Sequence, residues 1–369
     1  MTQLRRWVIA LAIPVATLIG CQPQVTHRLA GGVVSSTATP SIGVATPAAT
    51  LAPAIPTPSR APTPSPSSPA GAPAQARLVA VRASGAVFVP GLALGGRPVG
   101  HIAAGVLLPV EAVQAGWARV RTPCEQVGWV RLGDITTASH ATVVLDPGHG
   151  GHETGAIGSE GLAEKDVNLD VAQRTAKLLE AQGIDVVMTR TADYMATLAF
   201  RVTVAASVQP AAFVSIHHNA MPDGPRSGPG TETFYQHTSA SSKRLAGLLY
   251  EETTAALAPY PADWVGNSDA GARWRLNDGG ADYYAILRLS DAHGLTAALA
   301  EMLFITNPTE EALLLRQDVR QAEAGAIARA VWRFVSTRDP GSGFSVPHPR
   351  TEPAGGGGGR EGCIDPIQR

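Results

Sequence analysis

The sequence predicts an α/β domain, a sheet with helices on both faces, preceded by a small all-β barrel. Over residues 141–337, strand-like apolar runs alternate with amphipathic helical patterns, which is typical of a sheet covered by helices on both sides. Over residues 77–137, short apolar runs alternate with turn residues, which favours several short strands. A chain of 369 residues has room for both domains.

The charge balance excludes one class of partner. The chain carries 29 Lys and Arg against 30 Asp and Glu, so it has no basic excess with which to bind nucleic acid. Beyond the N-terminus no apolar stretch reaches the ~18 residues of a membrane-spanning helix, and we expect the rest of the chain to be soluble.

Residues 1–21 have the pattern of an export signal. Arg5 and Arg6 precede an uncharged apolar run over residues 7–19, and Cys21 directly follows Gly20. This ending resembles the lipobox of bacterial lipoproteins, which implies that Cys21 is acylated and anchors the protein to a membrane. The alternative is an ordinary signal peptide with a chance cysteine. In the lipoprotein interpretation the protein is exported and lies on the outer face of the cell membrane, or on an outer membrane.

Two further segments are predicted to lack a core. Residues 22–76 are rich in Pro, Ala, Ser and Thr, a composition with too little apolar bulk to offset chain entropy, and indicate a disordered, extended spacer. Residues 338–369 are rich in Gly and Pro and are predicted to be a disordered tail. After export Cys124 and Cys363 have two possible states, a disulfide or two free thiols.

The predicted barrel, residues 77–137, resembles the bacterial SH3-like (SH3b) domain. The resemblance depends on the opening AVRASG and on two Gly-Trp pairs, at Trp117 and Trp129. It implies binding to cell wall or peptide, and the alternative is a packing module that only spaces the next domain. We expect both tryptophans to belong to the core of the barrel.

The α/β region is predicted element by element. It begins with a buried strand over 141–145 and a helix over 165–181, whose apolar residues share one face. The stretch 259–283 is predicted to form a surface loop. The other predicted strands are 185–189, 213–216, 231–235, 284–287 and 297–303, and the other predicted helices are 198–207, 241–257 and 322–335.

Polar residues collect where these strands end. His149 lies in a Gly-rich loop directly after the first strand, and His217 and His218 follow the strand at 213–216. The carboxyl ends of strands in an α/β sheet are where ligands bind, so we expect these side chains to lie close together. Of His217 and His218 only one is expected to face the site, since neighbours on a strand point opposite ways.

Acidic residues complete a possible metal site. Two His and one Glu with an open position are a common set for catalytic zinc. Glu164, at the start of the first helix, competes with Glu160 and Glu153 for the carboxylate position. Glu301 lies in an apolar run, where a carboxylate is costly without a metal, a water or a partner.

An ordered set of motifs adds a family resemblance. VVLDPGHGG, GLAEKDVNL, FVSIHHNA, GTETFY and AEMLFITNP occur in this order, as they do in the zinc-dependent N-acetylmuramoyl-L-alanine amidases of the Amidase_3 family, which this region resembles. The resemblance implies one Zn²⁺ held by His149, Glu164 and His217, with Glu301 as catalytic glutamate. Asn219 is assigned to orienting His217 or contacting substrate.

The implied reaction is hydrolysis of peptidoglycan at the amide between the lactyl group of N-acetylmuramic acid and L-alanine. Two alternatives remain from the sequence: a zinc peptidase that acts on wall peptides, and a non-catalytic lipoprotein that binds the cell wall. Arg190 and Arg201 are interpreted as structural. No sequence signal identifies an activating protein.

Overall fold

The computed structural model describes residues 77–91, 97–138, 140–220, 230–261, 270–346 and 358–368. The predicted export signal with Cys21 and the predicted spacer, residues 22–76, lie outside these ranges. Within them, none of the helices is both long and apolar enough to cross a membrane.

The first part of the described chain is all-β. Five strands form an antiparallel sheet in the order β6-β5-β4-β1-β7, and β2 pairs with β3 in a second sheet. The strands are β1 (Arg77–Val81), β2 (Ala86–Phe88), β3 (Gly100–Ile102), β4 (Leu107–Gln114), β5 (Trp117–Arg121), β6 (Val127–Arg131) and β7 (Ile135–Ala138). Phe88, Ile102 and Leu108 lie in their shared core. We call this part the β module; its membership of the SH3-like family stays a prediction.

The two tryptophans of the β module differ from the prediction. Trp117 and Trp129 are half-buried and do not belong to the core cluster. On each strand the next residue, Ala118 or Val130, is buried in the core instead of the tryptophan. The Arg131 guanidinium lies 5.4 Å from the Trp117 ring centroid. The prediction that both are core residues is therefore wrong.

A six-stranded mixed sheet forms the centre of the second part. Its order is β12-β11-β13-β10-β8-β9, with β9, β8, β10 and β13 parallel and β11 antiparallel to β13. The strands are β8 (Val143–Pro147), β9 (Val186–Met188), β10 (Ala212–Asn219), β11 (Glu232–Tyr235), β12 (Gly271–Arg273) and β13 (Ala297–Phe304).

Helices cover both faces of this sheet, so the predicted fold class is confirmed. One face packs its apolar residues with α1, α3 and α6, and the other packs with α2, α4 and β1. The helices are α1 (Glu164–Glu180), α2 (Leu198–Val208), α3 (Ala240–Leu257), α4 (Ala285–Ala292), α5 (Pro308–Leu314) and α6 (Gln317–Ser336). Side chains begin several of them: Thr197 accepts from Phe200 N, and Asn307 accepts from the first turn of α5.

Two local predictions are wrong. The sequence predicts a strand over residues 284–287, but residues 285–287 begin α4, which buries Ile286 and Leu287. An apolar run this short fits either a strand or one turn of helix. The predicted loop over 259–283 contains β12, which pairs with β11 and is wholly buried. The strand is hard to predict from the sequence because it contains Arg273, and a fully buried arginine is rare.

The prediction of a disordered tail is wrong for the described residues 338–346 and 358–368. Ile367 and Gln368 form β14 (Ile367–Gln368), which pairs with β3, and Cys363 forms a disulfide with Cys124. The carboxylate of Asp365 is buried and accepts hydrogen bonds from Thr122 Oγ1 (2.7 Å) and Cys124 N (2.8 Å). The sequence prediction missed these few anchoring residues because the segment around them is rich in glycine.

Candidate metal centre and active site

His149, Glu164 and His217 converge at one edge of the sheet. They come from the loop after β8, the first residue of α1 and the end of β10, and their ligand atoms all lie within 4.8 Å of one another. His149 Nε2 is 3.2 Å from Glu164 Oε2, and His217 Nδ1 is 3.0 Å from Glu164 Oε1. The Glu164 side chain is 6% exposed, whereas His149 and His217 are 26% and 20% exposed. The group is therefore open to solvent on its histidine side.

Two glycines leave room for this group. A Cβ on Gly155 would meet the Glu164 carboxylate and lie 2.6 Å from His149 Cδ2. A Cβ on Gly148 would overlap the His217 ring. Two imidazole nitrogens and one carboxylate are donors that zinc accepts in catalytic sites. The residues present therefore fit a zinc ion.

The loop that carries His149 is strained and firmly held. His149 itself has a φ of 60°, in the left-handed region, and Gly151 has a φ of 61°. Buried Arg201 donates to His149 O (2.7 Å), and buried Arg190 donates to Gly148 O (2.9 Å). Such a backbone persists when its surroundings fix it at several points. Both arginines are structural, as the sequence predicted.

The protonation states of Glu164 and His217 suit metal binding. Burial by itself would raise the pKa of Glu164, but the His149 and His217 rings hold that pKa well below its usual range. Burial lowers the pKa of His217, although its contact with Glu164 opposes the shift. At neutral pH the carboxylate is therefore ionised and the His217 ring is neutral, which are the forms that bind metal.

The structure selects one of the three acids that sequence reasoning left open. Glu164 alone belongs to the group, and its Oε2 accepts from Ala156 N (3.0 Å). Glu153 accepts from the backbone N–H of Gly358 instead. Glu160 is exposed, and its backbone N–H donates to the Glu311 carboxylate.

Glu301 lies beside the group on the neighbouring strand. Strand β13 pairs in parallel with β10 so that Glu301 stands opposite His217, and it pairs with β11 so that Glu301 stands opposite Glu232. Residues opposite each other on paired strands project from the same face of the sheet. Glu301 is half-buried and stands between the His217 position and the Glu232 position.

A buried ionic cluster follows on the far side of Glu301, and sequence reasoning missed it. The Glu232 carboxylate is 3.4 Å from Arg273 Nη1 and 3.9 Å from Arg275 Nη2, and it accepts from Asn219 Nδ2 at 2.7 Å. Asn219 Oδ1 also accepts from Ala220 N. The GTETFY motif contains Glu232, but only the pairing of β11 with β13 shows that it neighbours Glu301.

His218 turns away from the metal group, as alternation along the strand predicts. Its ring is buried between α1 and α6, where it contacts Asn168 Oδ1 (2.8 Å) and Glu323 Oε2 (3.4 Å). The choice of His217 over His218 therefore agrees with the geometry.

Comparisons with known proteins match the same region. The family model Amidase_3, N-acetylmuramoyl-L-alanine amidase, matches residues 143–333, which include the three converging residues and Glu301. The protein is 33% identical over 192 residues to "Uncharacterized protein YqiI" of Bacillus subtilis, a match that covers 52% of this chain and 82% of that protein.

Two other similar proteins have amidase names. N-acetylmuramoyl-L-alanine amidase LytC of Bacillus subtilis is 37% identical over 188 residues, covering 50% of this chain and 34% of that protein. The solved structure of N-acetylmuramoyl-L-alanine amidase AmiC2 of Nostoc punctiforme is 31% identical, with a TM-score of 0.44 over 52% of this chain and 96% of that chain. On the family match, this chain belongs to the Amidase_3 family of N-acetylmuramoyl-L-alanine amidases.

Proposed function

We propose that this protein is a peptidoglycan hydrolase that cleaves the amide bond between the lactyl group of N-acetylmuramic acid and L-alanine. His149, Glu164 and His217 would hold one Zn²⁺. The observation that carries the proposal is the convergence of these three ligands within 4.8 Å, in a domain of the amidase family. When bound, zinc supplies a Lewis acid that polarises the scissile carbonyl and makes water more acidic.

The ligand residues prepare the site for this chemistry. Glu164 stands at the N-terminus of α1, where the helix dipole favours a negative charge, and its low pKa keeps it ionised. The exposed edges of His149 and His217 leave one side of the group for the substrate amide. Arg190 and Arg201 fix the His149 loop, so the group is formed before substrate binds.

Glu301 is the proposed general base. It accepts a proton from the attacking water and then delivers that proton to the L-alanine amine as the amide bond breaks. Its position opposite His217 on the adjacent strand supports this role. A buried ionic cluster stabilises β11, the strand that pairs with β13 beside Glu301. The cluster consists of Glu232, Arg273 and Arg275.

The other parts of the chain are assigned to delivery of the enzyme. The lipid anchor at Cys21 would hold the protein to the outer face of a membrane, and the spacer would extend at up to ~3.1 Å per residue towards the wall. The β module, as an SH3-like domain, would bind peptidoglycan, and Asn219 would contact substrate or orient His217. The disulfide between Cys124 and Cys363 agrees with an oxidising location outside the cytoplasm.

Digestion of purified sacculi tests the proposal. We expect the wild-type protein to release intact stem peptides with a new L-alanine amino terminus, and a chelator to stop the release until zinc is restored. Glu301→Gln should lower the rate by about 10²–10⁴-fold, the usual contribution of a general acid-base group. Glu160→Gln makes the same chemical change at an exposed position and should keep full activity.

Three outcomes would contradict the proposed activity or the role of Glu301. Cleavage inside the stem peptide would show a zinc peptidase, and sacculus binding without new termini would show a non-catalytic wall-binding protein. Full activity of Glu301→Gln would remove that residue from the reaction.

A further inference from the structure

Behind the metal ligands, two ionisable side chains are buried together in the core. His218 on β10 and Glu323 on α6 both have 0% exposed side chains, with 3.4 Å between His218 Nε2 and Glu323 Oε2. Glu323 Oε1 has no hydrogen-bond partner among the described residues. Burial of such a pair is unfavourable compared with an apolar pair of the same size. Its position next to the metal group therefore requires an explanation.

Asn168 links this pair to a metal ligand. Its Nδ2 donates to Glu164 Oε1 and to Gly148 O, both at 3.3 Å, and its Oδ1 contacts His218 Nδ1 at 2.8 Å. Because the amide nitrogen is used on the Glu164 side, the amide oxygen must accept from His218 Nδ1. A continuous path therefore runs from Glu323 through His218 and Asn168 to Glu164.

Glu164 Oε1, which accepts from Asn168, also accepts a hydrogen bond from the backbone of β10. The backbone N–H of His218 donates to Glu164 Oε1 at 3.2 Å. On the other oxygen, Ala156 N donates at 3.0 Å. The Glu164 carboxylate is thus held through both of its oxygens. The side chain of His218 in turn holds the Asn168 amide, which donates to Glu164 Oε1.

We propose that Asn168, His218 and Glu323 are positioning residues, which hold the Glu164 carboxylate in the orientation that binds the metal. The inference rests on the proposed function, because it concerns the same metal centre. Partners that orient metal ligands typically change metal affinity or activity by 10–100-fold when they are removed. Glu323 acts from a distance, since it fixes the tilt of the His218 ring and so the direction of Nδ1.

A double variant tests the path without leaving a lone charge in the core. His218→Leu combined with Glu323→Gln removes the donor to Asn168 and also removes the buried carboxylate. We expect the zinc dissociation constant, measured on the full chain by chelator competition, to rise about 10–100-fold. His218→Asn combined with Glu323→Gln places an amide nitrogen near the former Nδ1 position, and it should recover most of the affinity.

Thr175→Val is the matched control. Thr175 is also buried on α1, and its hydroxyl contacts Ala324 O on α6 at 3.4 Å, yet it has no bond to the metal group. This variant should lower the midpoint of thermal unfolding and leave the zinc affinity unchanged. It shows how much of any effect comes from loss of a buried polar contact between the two helices.

The outcomes separate this inference from the proposed function. If the wild-type chain binds zinc and the His218→Leu double variant binds it equally well, the positioning role is wrong and the metal centre stands. A double variant that loses only thermal stability, like Thr175→Val, also rules out the positioning role. If the wild-type chain binds no zinc, the metal centre itself is wrong. Should the double variant not fold, Glu323→Leu alone decides: it removes the contact to His218 Nε2 and should weaken zinc binding, and unchanged affinity would overturn the assignment of Glu323.

Discussion

The candidate metal centre and the C-terminal segment 358–368 both join residues that are far apart in the sequence, but different interactions hold them. The candidate metal centre lies at one edge of a sheet that is covered on both faces, and buried arginines fix its His149 loop. Segment 358–368 is held to the β module by one disulfide, the buried Asp365 and a two-residue strand, and Gly358 also bonds to Glu153 and Leu198 of the α/β domain. The candidate metal centre should therefore be less sensitive to the loss of one surface contact than the segment, which depends on a few bonds.

The largest effect is expected where a new side chain would enter the candidate metal centre. Gly155→Ala places a Cβ against Glu164 and His149, at a backbone φ of 67° that already disfavours alanine. We expect loss of zinc binding and of hydrolysis by at least about 100-fold, comparable with the loss of an orienting partner. Zinc titration and a sacculus assay measure both.

Gly161→Ala is the control for this variant. Gly161 also has a positive φ, 88°, but a Cβ there meets no atom within 4 Å. Its backbone strain is similar, so its zinc affinity should stay normal. If Gly155→Ala and Gly161→Ala bind zinc equally well, the space that Gly155 leaves beside Glu164 and His149 is not needed.

The disulfide gives the next largest effect, on stability rather than on zinc. Cys124→Ser combined with Cys363→Ser opens a covalent link between residues 239 positions apart, and removal of a native disulfide typically costs about 2–5 kcal/mol. Thermal unfolding should shift to lower temperature, and limited proteolysis should cut within 358–368. Zinc affinity should not change. A parallel loss of zinc binding would contradict the independence of the two regions.

A gradual, pH-dependent effect on stability is expected from Glu310, whose carboxylate accepts from Phe304 N at the end of β13. Burial raises the pKa of Glu310 to about 8, although the bond from Phe304 N opposes the shift. The folded protein then holds a proton that the unfolded chain releases near pH 4.5, so stability should fall as pH rises from about 4.5 to about 8. One proton corresponds to a slope of up to about 1.4 kcal/mol per pH unit.

Glu310→Gln should remove this slope in denaturant unfolding measured across the pH range. Glu311→Gln is the neighbour control with the opposite sign. Burial would raise the pKa of Glu311, but hydrogen bonds from Glu160 N, Ser159 and Leu162 N lower it. Its contribution is present above the unfolded pKa and is lost as pH falls through the lower folded pKa. An unchanged slope in Glu310→Gln would contradict the raised pKa.

The same contrast explains what the sequence can predict. His149 follows one strand, and His217 and Glu301 lie in the second half of two others. These strands read clearly as apolar runs, and strand ends meet at one edge of a sheet. Their convergence is therefore predictable from local patterns. Alternation along β10 also separates His217 from His218.

The features that sequence reasoning missed depend on contacts between distant elements. Glu323 lies 105 positions after His218 and is a buried carboxylate in a helix that otherwise reads as amphipathic. Arg273 makes its strand look like a loop, because the sequence does not show that Glu232 on the neighbouring strand compensates its charge. The burial of Asp365 could not be predicted from the glycine-rich tail around it, since its partners, Thr122 and Cys124, lie in the β module.

X-ray absorption at the zinc edge tests the central claim most directly. For the zinc-loaded wild-type chain we expect two imidazole nitrogens at about 2.0–2.1 Å, a carboxylate oxygen and no sulfur, and His217→Ala should lose one imidazole. A sulfur scatterer at about 2.3 Å, or a spectrum that His217→Ala leaves unchanged, would show that zinc binds elsewhere and that His149, Glu164 and His217 do not hold it.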